Sequence, residues 1–167
     1  MFCMLNEENK NRVRVGRSIA GLGLFAVTSF SRDELVLEYV GPRLPNKDFE
    51  GKSNLYIFAL NSRFAIDGRA RSNTARYINH SCKPNCAAEI RKGKIYIRAQ
   101  KLILPGEEFT YDYGNEYFQE FIKPHGCRCI KCQPQLHEKL EKVKIPTISV
   151  SDLPQPKKIH KNNTQFS

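Results

Sequence analysis

The sequence predicts one mainly β domain with few short helices. Short runs of β-branched, aliphatic and aromatic residues recur between about residues 11 and 132, and Gly, Pro or Asn closes most of them. Only one segment in that range has clear helical periodicity. The length of 167 residues is enough for one domain, and 40% hydrophobic residues support one modest core.

The predicted strands share β-favouring residues and a turn signal at one end. In chain order they cover residues 35–40, 56–60, 64–66, 88–90, 95–98 and 109–111. The clearest connection is Arg91-Lys92-Gly93-Lys94, which predicts a β-hairpin. These short strands predict a mainly β class but not the order of strands within a sheet.

One helix is predicted over residues 116–123. Asn115 is placed to cap its N-terminus, Glu116 suits its positive end, and Pro124 stops it. The apolar side chains that share one face of this helix are Tyr117, Phe118, Phe121 and Ile122. Residues 137–144 are a candidate for a second, short helix.

The composition divides the chain into four parts. Residues 1–10 form a polar tail, residues 11–122 the predicted domain, and residues 123–136 a cysteine-rich segment. From residue 137 to 167 the chain is basic and rich in Pro, Asn, Gln and Ser, which predicts a flexible tail. No run approaches the roughly 18 apolar residues of a membrane helix, and the start lacks the pattern of a secretory signal. We expect a protein of a reducing, intracellular compartment.

The net charge of +10 is unevenly distributed. Between Leu102 and Ile122 the only charged residues are acidic, at positions 107, 108, 112, 116 and 120. The basic body could contact nucleic acid and the acidic segment a basic peptide, whereas the alternative is that the charge serves only solubility. No stacking-aromatic or helical motif supports a dedicated nucleic-acid-binding protein.

Three of the six cysteines lie close together, at Cys127, Cys129 and Cys132. In a reduced protein this spacing indicates metal ligands rather than disulfides. Zinc prefers four ligands in a tetrahedron, so these three thiolates require a fourth ligand from elsewhere. Reduced cysteines without a metal are the alternative.

Four motifs stand in an order that resembles the SET domain of protein-lysine methyltransferases. They are residues 21–26 (GLGLFA), 38–41 (EYVG), 76–85 (RYINHSCKPN) and 106–113 (GEEFTYDY), and residues 127–132 resemble a short post-SET cysteine segment. The resemblance covers residues 12–132. It implies a fold of several small sheets, with a pseudoknot near the active site. The chain departs from the family in lacking a pre-SET cysteine cluster and in having Cys-x-Cys-x2-Cys where Cys-x-Cys-x4-Cys is commoner. The segment between Gly41 and Arg76 is also short.

The resemblance implies the transfer of a methyl group from S-adenosylmethionine to a lysine. It implies that Tyr113 positions the lysine amine, that Tyr111 restricts the pocket, and that Tyr56 forms a second wall of the channel. A half-buried strand tyrosine is the alternative for Tyr56. With an unperturbed pKa near 10, a tyrosine such as Tyr113 is a poor general base at neutral pH. We therefore expect its hydroxyl to orient the amine and the methyl group and to act electrostatically, not to remove a proton. The residues expected to bind the cofactor are Gly21, Leu22, Gly23, Leu24, Asn79, His80 and Tyr113.

By the same resemblance Cys82 completes a zinc site with Cys127, Cys129 and Cys132. His125 and Cys86 are rival fourth ligands, and Cys86 is otherwise expected to be a small core residue. Tyr111 predicts that monomethylation dominates, with dimethylation as the further product.

The expected substrate is a lysine in a basic, histone-like protein tail. The alternatives are a ribosomal protein as substrate, or a catalytically weak module that binds basic peptides or nucleosomes without turnover. If the substrate is a histone, the expected location is the nucleus and chromatin, either of the same organism or of a host. Otherwise the expected location is the cytoplasm. A homodimer, in which a second copy supplies part of the substrate wall, is the alternative to a monomer.

Overall fold

Residues 9–49 and 55–142 are described by a computed structural model, in which ten short strands form four small sheets. Strands β1 (Val13–Ser18) and β2 (Gly21–Ala26) form an antiparallel ribbon. The other strands are β3 (Leu35–Tyr39), β4 (Arg43–Pro45), β5 (Ile57–Ala59), β6 (Phe64–Asp67), β7 (Asn79–His80), β8 (Cys86–Arg91), β9 (Lys94–Ala99) and β10 (Thr110–Tyr111). The prediction of a mainly β fold with several small sheets and few short helices is confirmed.

Two of these sheets have three antiparallel strands, in the orders β3-β9-β8 and β4-β6-β5. The predicted hairpin is β8–β9, and its turn is formed by Lys92 and Gly93, whose φ angles of 50° and 73° both lie in the left-handed region. This geometry matches the right-handed twist of the flanking strands. The strand predicted over residues 109–111 is shorter, because Phe109 donates its backbone N–H to Leu24 of β2 rather than to β7.

The fourth sheet pairs β7 with β10 in parallel, with Thr110 opposite Asn79 and Tyr111 opposite His80. Asn85 holds this pair in place. Its Nδ2 donates to the Glu108 carbonyl at 2.8 Å, and its Oδ1 accepts the Thr110 N–H at 2.8 Å. These bonds satisfy the buried amide, and they tie the start of β10 to the loop that follows β7.

The hydrophobic core lies between the β1–β2 ribbon and the β3-β9-β8 sheet. Phe30 and Phe109 are fully buried and pack edge to face, with ring centroids 5.2 Å apart. Leu24, Ile95 and Ile97 are equally inaccessible. Fully burying such a side chain stabilises the fold by about 1.5–3 kcal/mol, so these residues provide the rigid base on which the β7–β10 pair rests.

The helical segment after β10 differs from its prediction in two respects. Helix α1 (Asn115–Tyr117) continues as a π-helix over Phe118–Ile122 and a 3-10 turn over Lys123–His125. Asn115 does not cap it, which corrects that expectation: Gly114 occupies the cap position with φ 88°, and the Asn115 side chain accepts a hydrogen bond from Gln119 instead. All four side chains of the predicted apolar face are half-buried.

Helix α2 (Pro134–Lys142) begins three residues before the predicted helix over 137–144. The end of that prediction and the tail beyond residue 142 lie outside the described residues, as do residues 1–8. Asn9, assigned by the sequence to the polar tail, is buried and donates to the Leu35 carbonyl at 2.7 Å. None of the helices in the described part of the chain combines the length and apolar character that a membrane span requires.

Candidate active site and metal centre

A cavity of about 1660 Å³ opens beside the β7–β10 pair. The parallel pairing of these strands brings Asn79 close to the segment that ends at Tyr113, and both residues line the cavity. Residues at the start of β2 and along β5 also line the cavity. The predicted site residues that line the cavity are Leu22, Tyr56, Asn79, Tyr111 and Tyr113.

Tyr113 is fixed within an aromatic wall. Its ring lies 4.8 Å from Tyr111 and 4.9 Å from Tyr117, centroid to centroid. Its hydroxyl donates to the Ile78 carbonyl at 2.7 Å. Burial raises the pKa of Tyr113, with neighbouring tyrosines adding to the effect. The side chain therefore stays protonated at neutral pH, and its oxygen offers lone pairs rather than its proton to the cavity.

Tyr56 is held at the facing wall by Arg76, whose guanidinium lies 4.1 Å above the ring centroid. The Tyr56 carbonyl accepts hydrogen bonds from the Tyr39 hydroxyl and the Gly68 N–H, both at 2.9 Å. Burial also raises the pKa of Tyr39. Tyr56 is half-buried, but it lies in the turn just before β5 and not within a strand as predicted.

The Asn79 amide has one orientation that satisfies its neighbours. Nδ2 lies 3.0 Å from the Leu22 carbonyl and 2.8 Å from Glu108 Oε1, and both partners can only accept. The two amide hydrogens are therefore used within the protein. The acceptor Oδ1 is the polar atom that the amide can offer to a cation in the cavity.

The Glu108 side chain also explains why residue 23 is a glycine. A Cβ at Gly23 would meet Glu108 Oε1 at 2.4 Å and Ser18 Cβ at 2.9 Å. Ser18 donates to the other Glu108 oxygen at 2.9 Å. Gly23 therefore makes room for a carboxylate that supports Asn79. Gly21 has φ 114°, which favours glycine at the start of β2.

Leu24 and His80 do not line the cavity with their side chains. Leu24 is 0% exposed and belongs to the core. It lies on the same face of β2 as Leu22, but two residues along a strand is about 6.8 Å, which carries it from the cavity to the core. The His80 ring packs against Phe118 and Tyr113, with centroids 5.4 and 5.5 Å apart. Burial lowers the pKa of His80, opposed by the nearby Asp112 carboxylate.

The four cysteines expected to bind zinc are brought together. The Sγ atoms of Cys82, Cys127, Cys129 and Cys132 all lie within 4.8 Å of one another. The distances from the Cys82 sulfur to those of Cys127 and Cys132 are 3.9 and 3.7 Å. Tetrahedral zinc with Zn–S bonds near 2.3 Å separates its sulfurs by about 3.8 Å, so this donor set fits zinc.

The electrostatics of the cluster also favour a cation. Burial raises the pKa of the Cys82 and Cys127 thiols, as does the proximity of the other sulfurs. Burial acts in the same direction on Cys129, but N–H donors from the backbones of Cys82 and Cys132 outweigh it and lower the pKa to about 6. Four sulfurs this close are stable as thiolates only with a positive charge among them.

The rival fourth ligands are not in the cluster. Cys86 is 1% exposed and belongs to the core, where burial raises the pKa of its thiol to about 12. His125 is exposed and is not among the clustered groups of the described residues.

Comparison with known proteins matches residues 21–114, more than half of the chain, to the SET domain. The chain belongs to the SET-domain family. It is 37% identical over 143 residues to Histone-lysine N-methyltransferase 2D of Homo sapiens, which covers 77% of this chain and 3% of that protein. It is 39% identical over 134 residues to the H3 lysine-4 specific histone-lysine N-methyltransferase of Schizosaccharomyces pombe, covering 72% of this chain and 14% of that protein. The chain therefore spans only a small share of the length of these relatives.

A third relative, Histone-lysine N-methyltransferase set1 of Dictyostelium discoideum, is 34% identical over 146 residues, covering 78% of this chain and 10% of that protein. The predicted resemblance to SET-domain protein-lysine methyltransferases is thus confirmed.

Several residues that shape this SET domain site escaped the sequence analysis. Glu108 and Asn85 stand inside the motifs described above. Nothing in a single sequence, however, predicts that Glu108 binds the Asn79 amide or that the Asn85 amide binds β10. Phe49, Leu55 and Arg71 line the cavity from outside the motifs. Their only sequence signal was their position between Gly41 and Arg76, the segment that separates two motifs.

Proposed function

We propose that the chain is an S-adenosylmethionine-dependent protein-lysine N-methyltransferase that acts on a basic, histone-like protein tail. The observation that carries this proposal is the Tyr113 hydroxyl, anchored at the wall of a cavity that Asn79 also lines. S-adenosylmethionine supplies an electrophilic methyl group on a sulfonium. The family relationship supports this cofactor, and the cavity provides a suitable acceptor in Asn79 Oδ1 for its ammonium group.

The residues of the cavity would position a lysine amine rather than deprotonate it. Transfer needs an uncharged amine held in line with the methyl group and shielded from water. Because the Tyr113 proton is donated to the Ile78 carbonyl, the oxygen can accept a hydrogen bond from the amine N–H. The rings of Tyr56 and Tyr111 would exclude water, and the apolar wall would lower the pKa of the substrate lysine.

The proposed product is mainly monomethyl-lysine, with dimethyl-lysine as the further product. Tyr111 supports this proposal because it is 7% exposed and its ring lies in contact range of both Phe58 and Tyr113, at 6.0 and 4.8 Å between centroids. A full-sized tyrosine therefore fills the end of the cavity and restricts the space for a second or third methyl group.

A basic substrate is supported by charge and by the relatives. Glu116 and Glu120 line the cavity and are exposed, so they would attract Lys or Arg beside the target lysine. The relatives are named as histone-lysine methyltransferases, and one as specific for H3 lysine-4. We propose a location in chromatin for a histone substrate, where the net charge of +10 would favour contact with nucleosomal DNA.

The test is transfer of radiolabelled methyl from S-adenosylmethionine to a protein and peptide array that includes histones and ribosomal proteins. We expect labelling of basic tails. In Tyr113→Phe the rate of methyl transfer should fall at least about a hundredfold. Tyr96→Phe is the matched control, because Tyr96 lies on β9 outside the cavity. Binding of basic peptides by the zinc-loaded wild type without any methyl transfer would favour a non-catalytic module instead.

A further inference from the structure

We propose that His80 is a positioning residue that joins the metal centre to Tyr113, by donating its Nε2–H to the Cys82 sulfur and accepting the Tyr113 backbone N–H at Nδ1. The half of this proposal that concerns Tyr113 rests on the proposed function. The half that concerns Cys82 rests only on the zinc site.

Both nitrogens of the His80 ring have a partner of defined chemistry. Nδ1 lies 3.2 Å from the backbone nitrogen of Tyr113, and Nε2 lies 3.3 Å from Cys82 Sγ. The side chain is 7% exposed. It therefore sits between the tyrosine wall and the cysteine cluster, rather than facing the cavity.

The geometry fixes the tautomer of His80. A backbone amide can only donate, so Nδ1 uses its lone pair to accept the Tyr113 N–H and carries no proton. The single proton of the imidazole is then on Nε2, where it points at Cys82. An N–H donor directed at a thiolate is a charge-assisted hydrogen bond, which orients the sulfur and moderates its charge.

Tyr113 is consequently held at both ends. Its hydroxyl is bound to the Ile78 carbonyl, and its backbone N–H is bound to His80. Since the same imidazole also binds a sulfur of the metal centre, the presence of the metal is linked to the placement of the Tyr113 ring. Groups that contact metal ligands in this way commonly change metal affinity 10–100-fold when they are mutated.

Two substitutions separate the two contacts. The Asn Oδ1 lies where His places Nδ1, so His80→Asn retains an acceptor for Tyr113 and loses the donor to Cys82. The longer His80→Gln retains an N–H near the Nε2 position and loses the acceptor. His137→Gln is the matched control, because His137 lies on α2 and contacts the Arg128 carbonyl rather than a cysteine sulfur.

The experiment measures zinc release to a colorimetric chelator, and kcat of the zinc-loaded protein. We expect at least about tenfold faster zinc release from His80→Asn, and about tenfold lower kcat in His80→Gln with zinc release near wild type. Equal zinc release from all variants would overturn the Cys82 contact. An unchanged kcat in His80→Gln, with active wild type, would overturn the Tyr113 contact.

A measurement on the unmutated chain keeps the proposal testable if a variant does not fold. Long-range ¹H–¹⁵N NMR of the zinc-loaded protein reports which ring nitrogen of each histidine carries the proton. We expect the Nε2–H tautomer for His80, and an Nδ1–H tautomer would overturn the proposal. This result does not depend on methyl transfer, so it is distinguishable from a failure of the proposed function.

Discussion

At the scale of single residues, Tyr111 controls the space beside Tyr113. Removing its hydroxyl in Tyr111→Phe leaves the ring in the core and enlarges the end of the cavity. We therefore expect the variant to shift its products towards di- and trimethyl-lysine, measured by mass spectrometry of a substrate peptide. Mainly trimethyl-lysine from the wild type would contradict the proposed restriction, as would an unchanged product pattern in the variant.

Glu108 acts on the cavity through Asn79 and is a second residue-scale test. In Glu108→Gln, a side chain with one acceptor oxygen must face two donors, Asn79 Nδ2 and Ser18 Oγ. The Ser18 hydroxyl can turn to accept from the new amide, but the bond from Asn79 loses its charged acceptor, and hydrogen bonds to charged groups contribute about 1.5–3 kcal/mol. We expect S-adenosylmethionine affinity to fall about tenfold or more by calorimetry, while kcat at saturating cofactor changes less.

Glu107→Gln is the matched control for that measurement. Glu107 is exposed and its carboxylate accepts the Leu104 N–H within a turn, away from Asn79. Equal losses of cofactor affinity in the two variants would indicate a general effect of acidic charge rather than support of the Asn79 amide.

At the scale of elements, the segment after α1 is tied to the β7–β10 pair by the cysteine cluster. Metal analysis of the purified chain should give about one zinc per molecule. Cys132→Ser should lose most of the zinc and lower the melting temperature, because a metal that binds only the folded state stabilises it. Cys86→Ala, a change at a core thiol outside the cluster, should retain its zinc. Well below one zinc in the wild type would count against the site.

At the scale of the whole molecule, buried tyrosines make stability depend on alkaline pH. Burial raises the pKa of Tyr39, Tyr111 and Tyr113, whereas tyrosines of the unfolded chain ionise near pH 10. Above that pH the unfolded state loses protons that the folded state keeps. The free energy of unfolding is therefore highest below about pH 10, and it should fall by about 1.4 kcal/mol per pH unit for each such tyrosine.

Urea unfolding between pH 9 and pH 11 measures this slope. Tyr39→Phe should reduce the slope by the contribution of one tyrosine, whatever it does to stability at neutral pH. A free energy of unfolding that stays constant up to pH 11 would show that the three hydroxyls ionise as readily in the folded chain as in the unfolded one.

Local sequence was sufficient for most strands and for the β8–β9 hairpin. Strand formation there depends on residue type, and the turn depends on Gly93 and Lys92 accepting left-handed conformations. The same reasoning missed the cap of α1 and the π-helical turn after it. The cap is Gly114, the residue just before the predicted one, whereas the contact of Phe118 with His80 joins residues 38 apart in the chain.

By itself the sequence determined the class of the fold, the family and the cysteines and tyrosines available to a site. The tertiary structure decided which of them meet. The parallel β7–β10 pair joins motifs about 30 residues apart, and Cys82 meets cysteines at least 45 residues further along the chain. The tertiary structure also decided that Glu108 orients the Asn79 amide and that Leu24 lies in the core. Such contacts depend on chain packing over long sequence separations, which no local pattern records.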